Sequence, residues 1–108
     1  MLQYEELRLS LIENEKPLED LKAALGLDKM RDEIKNLEDE AAKDGFWDDL
    51  ENSQKVLQRT SNLKAKVASY EKLSQMYDDA LVMIELADEE GDESLYDECC
   101  ENVNEFKA

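Results

Sequence analysis

The sequence predicts an all-α protein: an elongated, antiparallel, coiled-coil-like helical bundle of three to four helices with a long third helix. Three observations favour this class. Charged residues make up 39% of the chain, with only one Pro and three Gly, a composition typical of long helices. Each glycine follows a stretch with helical periodicity and precedes a segment that begins with an aspartate. The longest such stretch has its apolar residues at alternating spacings of three and four, as in a coiled coil.

The three glycines divide the chain into its predicted helices. Glycine is common just after a helix end, and aspartate is common just before a helix start. Gly26, Gly45 and Gly91 therefore separate helices that span about 2–25, 28–43, 49–89 and 92–107. We expect residues 1–108 to form a single helical domain.

The first two predicted helices each have one apolar face. Pro17 lies inside the first and lacks a backbone N–H, so this helix should kink or break near residues 14–16. The apolar face of the first helix consists of Leu7, Leu11, Leu18, Leu21 and Leu25, and that of the second, which starts at Asp28, consists of Met30, Ile34, Leu37 and Ala41.

The third predicted helix changes from one apolar stripe to two along its length. One stripe suits one partner helix, and two adjacent stripes suit two. We expect Asp48, with Glu51 three residues later, to cap its start. The first stripe is Thr60, Leu63, Val67, Tyr70, Ser74, Tyr77, Leu81 and Ile84; the second is Leu73, Met76, Ala80, Met83 and Ala87; and the fourth helix carries Leu95, Cys99, Val103 and Phe106 on one side.

The segment DGFWDD, at residues 44–49, contains the only tryptophan. Phe46 and Trp47 follow a predicted helix end and precede a predicted cap, where an apolar residue often packs back onto the first turns as a hydrophobic staple. We expect both side chains to be largely buried and to act as a structural anchor for this loop. The other interpretation is an exposed hot spot for a partner, a role that tryptophan also takes.

The negative charge is concentrated in the last third of the chain. The formal net charge is −16, and between Leu73 and Phe106 there are 12 acidic residues and no Lys or Arg. Such a surface repels phosphate backbones, so direct binding of nucleic acid is disfavoured while a basic protein partner is not. No apolar run is long enough to span a membrane, and the first ten residues lack the pattern of a signal peptide. The simplest expected location is the cytoplasm.

No catalytic or metal-binding pattern is present. The chain has no His, no glycine-rich phosphate loop and no nucleophile elbow. Cys99 and Cys100 are adjacent and point about 100° apart on a helix, which predicts one core thiol and one peripheral thiol. Residues 88–99 fail as a calcium loop because the glycine is displaced and Cys99 stands where a bidentate glutamate is needed. We expect no catalytic residue, no cofactor and no metal, and we expect the chain not to be an enzyme.

Residues 25–49, LGLDKMRDEIKNLEDEAAKDGFWDD, resemble the N-terminal domain of bacterial class I peptide chain release factors. Within that family the Phe-Trp pair before a long helix is similar to type 2 factors, which read UGA and UAA. The order of the helices extends the resemblance over the whole chain. The codon-reading Ser-Pro-Phe tripeptide and the Gly-Gly-Gln loop of the family are absent from these 108 residues, and both would belong to following domains, as in an excised or truncated protein.

The resemblance implies a partner and a role. It implies that the domain contacts protein at the stalk base of the large ribosomal subunit, near the site of translational GTPases, which makes such a GTPase a second candidate partner. It also implies that the domain has no catalysis of its own. Pro17 departs from the uninterrupted first helix of the family.

The acidic turn between the third and fourth predicted helices is the candidate partner-binding site. Five carboxylates lie within six residues, and no Lys or Arg lies near them in the sequence; they are Asp88, Glu89, Glu90, Asp92 and Glu93. Like charges at this density cost stability through self-repulsion. Two explanations stay open: a solubilising tip, or a surface that steers the domain towards a basic protein surface at the stalk base.

Two other functions stay open. One is a free-standing acidic coiled-coil adaptor or chaperone-like protein that binds basic clients. The other is the tRNA-binding arm of an RNA enzyme, which would need a solvent-facing basic stripe. The residues that offer such a stripe are Lys55, Arg59, Lys64, Lys66 and Lys72, and acidic residues of the first two helices are expected to neutralise them.

Overall fold

The computed structural model describes all residues from Met1 to Ala108 and contains helices without any strand, so the predicted all-α class is confirmed. No helix combines the length and the apolar character needed to cross a bilayer. The α-helices are α1 (Leu2–Ile12), α2 (Glu15–Leu25), α3 (Leu27–Ala41), α4 (Leu50–Glu90) and α5 (Tyr96–Lys107), with short 3-10 helices η1 (Phe46–Asp48) before α4 and η2 (Glu93–Leu95) before α5.

The break that Pro17 predicts in the first helical segment is present, at Glu13 and Asn14. It places Pro17 in the first turn of α2, where the missing N–H of a proline costs no hydrogen bond. Asn14 occupies the corner: its side-chain Nδ2 donates to the Ser10 carbonyl at 3.2 Å, and its own carbonyl accepts from Leu18 N at 3.0 Å. Asn14 therefore links the last turn of α1 to the first turn of α2.

The end of α4 shows why a glycine is needed there. Gly91 has φ 65°, a left-handed conformation that residues with a Cβ rarely adopt. Its N–H donates to the Asp88 carbonyl at 3.0 Å, and the next N–H, of Asp92, donates to the Ala87 carbonyl at 3.1 Å. These two bonds form a Schellman motif, which satisfies the last carbonyls of the helix and turns the chain towards η2.

The chain divides into two compact units. Unit 1 comprises residues 1–21 and 71–108, and unit 2 comprises residues 22–70. The hydrophobic core of unit 1 consists of Tyr4, Leu11, Tyr77, Ala80, Ile84, Ala87, Cys99, Val103 and Phe106.

Within unit 1, α1 and α5 run in the same direction and α4 runs against both. The rings of Tyr4 and Tyr96 lie 5.6 Å apart near the starts of α1 and α5, and the Lys107 ammonium donates to the Ser10 hydroxyl near their ends. In α4 the order is reversed, because Tyr77 contacts Phe106, whereas Met83 contacts the earlier residue Asn102. Each antiparallel pair therefore includes α4.

Unit 2 is built from the end of α2, α3, η1 and the first part of α4. Its buried apolar side chains are Leu27, Phe46, Val56, Leu63 and Val67. Two ion pairs join α3 to α4 across this unit: Arg59 contacts Glu33 at 3.0 Å, and Lys64 contacts Glu38 at 3.0 Å. The Arg59 pair is bidentate, with a second bond of 3.2 Å to the other Glu33 oxygen.

The structure removes both predicted stripes of α4 from water, and it also buries Ser53 and Val56 near the start of the helix, which the stripes do not include. All thirteen side chains of the stripes are buried or half-buried, and the fully buried residues of the second stripe, Ala80 and Ala87, belong to the core of unit 1. The predicted inner face of the last helix is also confirmed, since Cys99, Val103 and Phe106 are buried.

The loop before α4 differs from its prediction in two respects. Phe46 is buried with 6% of its surface exposed, whereas Trp47 is 63% exposed, so the expected burial of Trp47 is wrong. The residues of η1 follow one another at about 120° per residue, so adjacent aromatics cannot both point inward. Trp47 instead stands edge-on against Phe46, with ring centroids 5.1 Å apart.

The cap of α4 is also shifted by one residue. Asp49 Oδ1 accepts from Asn52 N at 3.1 Å, which is the bond an N-cap residue makes. Asp48 lies inside η1 and is not the cap. The chain uses the second of two adjacent aspartates because the short 3-10 turn occupies the first.

Candidate protein-partner interface at the acidic turn

The acidic turn joins α4 to α5 within unit 1 and is held by Asp92. The backbone of Asp92 is extended, and its side-chain Oδ1 accepts from Ser94 N at 2.9 Å and from the Ser94 hydroxyl at 2.5 Å. Hydrogen bonds to the ionised carboxylate stabilise it, so the Ser94 side chain and backbone N–H lower the pKa of Asp92. Asp92 is therefore the cap of η2 and remains charged.

The N-terminus of the chain supplies the cation that the surrounding sequence lacks. The ammonium of Met1 lies 2.5 Å from Asp88 Oδ1, and both groups are partly buried. One turn further along α1, the hydroxyl of Tyr4 donates to the backbone carbonyl of Asp92. Burial raises the pKa of Tyr4, and neighbouring acidic groups add to the rise. Two contacts with α1 and the N-terminus, Met1 with Asp88 and Tyr4 with Asp92, thus hold the turn, and they join residues that are 87 and 88 positions apart in the chain.

The five predicted site residues fall into two groups. Asp88 and Asp92 are half-buried and bonded as described, so they stabilise the turn. Glu89, Glu90 and Glu93 are exposed and make no hydrogen bond or ion pair. These three carboxylates are the part of the predicted site that is open to a partner.

An apolar groove lies beside the acidic turn, and the stripes of α4 do not predict it. Its apolar lining consists of Val82, Met83, Leu86, Ala87 and Leu95, and its volume is about 420 Å³. Val82 and Leu86 are 53% and 54% exposed. The signal in the sequence is that these two residues are apolar, lie four apart and belong to neither stripe.

The two cysteines of α5 differ in burial. Cys99 is a fully buried core residue, and burial raises the pKa of its thiol. Cys100 is half-buried, and both thiols are free. A hydrogen bond with Cys100 raises the pKa of the Tyr96 hydroxyl. The predicted division into one core thiol and one peripheral thiol is confirmed.

Three of the five basic residues predicted to form a stripe on α4 are paired with carboxylates. Arg59 and Lys64 pair with Glu33 and Glu38 of α3, and Lys55 pairs with Glu51 at 3.4 Å. Acidic residues of α3 thus pair with two of the five cations, so the neutralisation that the sequence predicts is present only in part, and Lys66 and Lys72 are exposed without an ion pair. The three ion pairs weaken the positive potential that a tRNA-binding arm needs.

Comparison with known proteins identifies relatives over most of the chain. The PCRF domain model matches residues 30–108. Peptide chain release factor 2 of Exiguobacterium sp. is 33% identical over 106 residues, which cover 98% of this chain and 29% of the relative. Peptide chain release factor 2 of Streptomyces avermitilis is 43% identical over 75 residues, which cover 69% of this chain and 20% of the relative.

A third relative, peptide chain release factor 2 of Listeria innocua, is 27% identical over 107 residues, which cover 99% of this chain and 29% of that protein. The chain thus spans between a fifth and a third of the length of these relatives. No solved structure matches it. The match to residues 30–108 includes the Phe-Trp loop, all of α4 and the acidic turn, and the resemblance stated from the sequence is confirmed: the chain belongs to the PCRF-domain family of peptide chain release factors.

Proposed function

We propose that this chain is the N-terminal domain of a translation termination factor of type 2, which directs peptide release at UGA and UAA codons on cytoplasmic ribosomes. The observation that carries this proposal is the likeness to release factor 2 proteins over nearly the whole chain. Codon reading and hydrolysis would belong to the parts of such a factor that these 108 residues do not include. The role of this domain is to contact the ribosome, without catalysis of its own.

The contact is proposed at the stalk base of the large subunit, near the site of translational GTPases, through the acidic turn. Three observations support this surface: Glu89, Glu90 and Glu93 are exposed and unpaired, the turn beneath them is held by Asp88 and Asp92, and no Lys or Arg lies between Leu73 and Phe106. A negative surface on a rigid turn accelerates encounter with a basic protein surface more than it tightens the complex.

A chimeric factor tests the function. Residues 1–108 replace the aligned N-terminal segment of the Exiguobacterium release factor 2, and peptide release is measured on ribosomes with UGA, UAA or UAG in the decoding site. We expect release at UGA and UAA with a rate close to that of the parent, and none above background at UAG. A factor with the segment deleted is the control. A chimera as defective as the deletion would instead favour the acidic adaptor that binds basic clients.

The acidic turn is tested in the same chimera. Replacing Glu89, Glu90 and Glu93 with Gln should slow association with ribosomes at low salt, and the difference should shrink as the Debye length falls to about 8 Å at physiological ionic strength. A matched control replaces three exposed aspartates of unit 2, Asp32, Asp39 and Asp44, with Asn, which changes the net charge by the same amount. Equal rates for both triple variants would assign the turn a solubilising role only.

A further inference from the structure

The apolar groove on unit 1 lies beside the acidic turn and shares Glu90 with it. Val82 and Leu86 of α4 line it and leave about half of each side chain in water, and Leu95 of η2 also lines it. Met83 and Ala87 complete its apolar lining, and Met83 is held in place by the Asn102 amide, whose Nδ2 lies 2.8 Å from the Met83 sulfur. The groove is therefore formed by packed elements of unit 1.

We propose that this groove binds an amphipathic α-helix of a partner protein, a helix with large apolar residues on one face and Lys or Arg residues beside them. The proposal concerns the groove alone and holds whether or not the acidic turn contacts the stalk base.

The dimensions of the groove favour a helix. Its lining on α4 runs from Asp79 to Glu90, which at a rise of 1.5 Å per residue is about 16 Å, or three helical turns. Val82 and Leu86 are separated by one turn, the same interval at which apolar side chains repeat on one face of a second helix. Burial of an apolar helix face in such a groove is a recurring mode of peptide recognition.

The charges around the groove determine the kind of helix. Asp79 and Glu90 lie at its two ends along α4, and the nearby exposed Glu89 and Glu93 add to the negative potential. The two cations of unit 1 that lie at the N-terminus and in α1 are already paired, since the Met1 ammonium contacts Asp88 and Arg8 contacts Glu5 at 2.7 Å. Asp79 accepts a hydrogen bond from the neutral Gln75 amide at 2.7 Å and, like Glu90, has no cationic partner. An apolar groove between such carboxylates complements a helix whose apolar face is flanked by cations.

The same charges argue against two other occupants. A second copy of this chain would bring another net charge of −16 against the first, which opposes association. A membrane of anionic lipids would also be repelled, because such surfaces attract basic segments rather than acidic ones. A basic amphipathic helix of a protein is the occupant that complements both the apolar lining and the negative charge of the groove.

The test uses a designed helical peptide of about 14 residues, about 21 Å long, with Leu at positions i, i+4, i+7 and i+11 and Lys beside them. One control peptide has the same composition in an order that disperses the leucines around the helix, and another has Glu in place of every Lys. Affinity is measured by fluorescence anisotropy, and the binding surface by methyl chemical shifts of the chain. We expect only the first peptide to bind and to shift the Val82, Leu86 and Leu95 methyl signals.

Variants locate the interaction. Val82→Ser together with Leu86→Ser should weaken binding at least about tenfold, because each apolar side chain loses its burial against the peptide, and circular dichroism checks that the helices are kept. Leu50→Ser, which removes a 63% exposed leucine of unit 2, should leave the affinity unchanged. Asp79→Asn with Glu90→Gln should weaken binding at low salt and less at high salt.

Four results would overturn the proposal. They are equal affinity for the peptide with dispersed leucines, unchanged affinity in the Val82/Leu86 variant, self-association of the chain that the same variant abolishes, and binding to vesicles of anionic lipid. In the chimeric factor described above the peptide should still bind, and loss of binding there would identify another segment of the factor as the occupant.

Discussion

Tyr4 donates its phenolic hydrogen to the backbone carbonyl of Asp92, 88 residues away in the chain. This bond connects the first turn of α1 to the turn between α4 and α5. The Tyr4 side chain is fully buried, so removing its hydroxyl leaves the carbonyl of Asp92 without this partner.

We expect Tyr4→Phe to lower the melting temperature by a few degrees without loss of helix content, because one buried hydrogen bond is lost while the ring still packs. The melting temperature is measured by circular dichroism. Tyr70→Phe removes a hydroxyl from a half-buried tyrosine that makes no hydrogen bond, and it should have no measurable effect. Equal effects of the two substitutions would show that the Tyr4 bond does not stabilise the turn.

Leu11 and Leu9 provide a matched pair on α1. Leu11 is 0% exposed, whereas Leu9 is 50% exposed. Leu11→Ala should lower the free energy of unfolding by about 2–5 kcal/mol, because it leaves a cavity in the core of unit 1. Leu9→Ala should cost about 1 kcal/mol at most, because half of that side chain already contacts water. Urea denaturation measures both, and a reversed order would contradict the assignment of the α1 face.

The aromatic pair before α4 should show a similar difference. Phe46→Ala should cost about 3–5 kcal/mol because the ring is buried in unit 2. Trp47→Ala should cost about 1 kcal/mol, since its remaining contribution is the edge-on contact with Phe46. The tryptophan emission maximum of the folded chain should be close to that of the unfolded chain. A strong shift of the emission to shorter wavelength on folding would contradict the exposed position of Trp47.

The start of α4 distinguishes the two adjacent aspartates. Asp49→Ala should lower the free energy of unfolding by about 1 kcal/mol, because Asn52 N loses its side-chain acceptor. Asp48→Ala should have little effect, since Asp48 does not cap the helix. Both substitutions remove one negative charge, so a difference between them in urea denaturation reports the cap alone. A larger loss of stability in Asp48→Ala than in Asp49→Ala would show that Asp48 is the cap.

Stability should fall at alkaline pH. Burial raises the pKa values of Tyr4 and Tyr77 above their ordinary value of 10.0, because the charged tyrosinate is poorly solvated inside the protein. The unfolded chain therefore loses these protons first, and the free energy of unfolding is unaffected below about pH 10 and decreases as the pH rises beyond it. Denaturation midpoints across this range measure the effect, which should be smaller in Tyr77→Phe. A midpoint that stays constant above this pH would contradict the burial of the two hydroxyls.

Much of the fold follows from local patterns. The spacing of apolar residues on α4 identifies the side that is removed from water, because a helix has a fixed period of 3.6 residues and an apolar stripe must face another element. The position of Pro17 predicts the break between α1 and α2, and Gly91 marks the end of α4, since both residues restrict the backbone itself. These features depend on residues close together in the chain, and the sequence therefore determines them.

The details of the site depend on residues that are far apart in the chain. Spacing predicts that five acidic residues share one turn, but only the fold brings the Met1 ammonium to Asp88 and the Tyr4 hydroxyl to Asp92, leaving Glu89, Glu90 and Glu93 free. In the loop before α4, the 3-10 turn buries Phe46, exposes Trp47 and moves the cap to Asp49. Local sequence cannot decide these outcomes, because the exposure and the partners of a side chain are determined by which distant helices pack against it. Where two adjacent residues are of the same type, as Asp48 and Asp49 are, the local sequence suits either of them equally well for the same role.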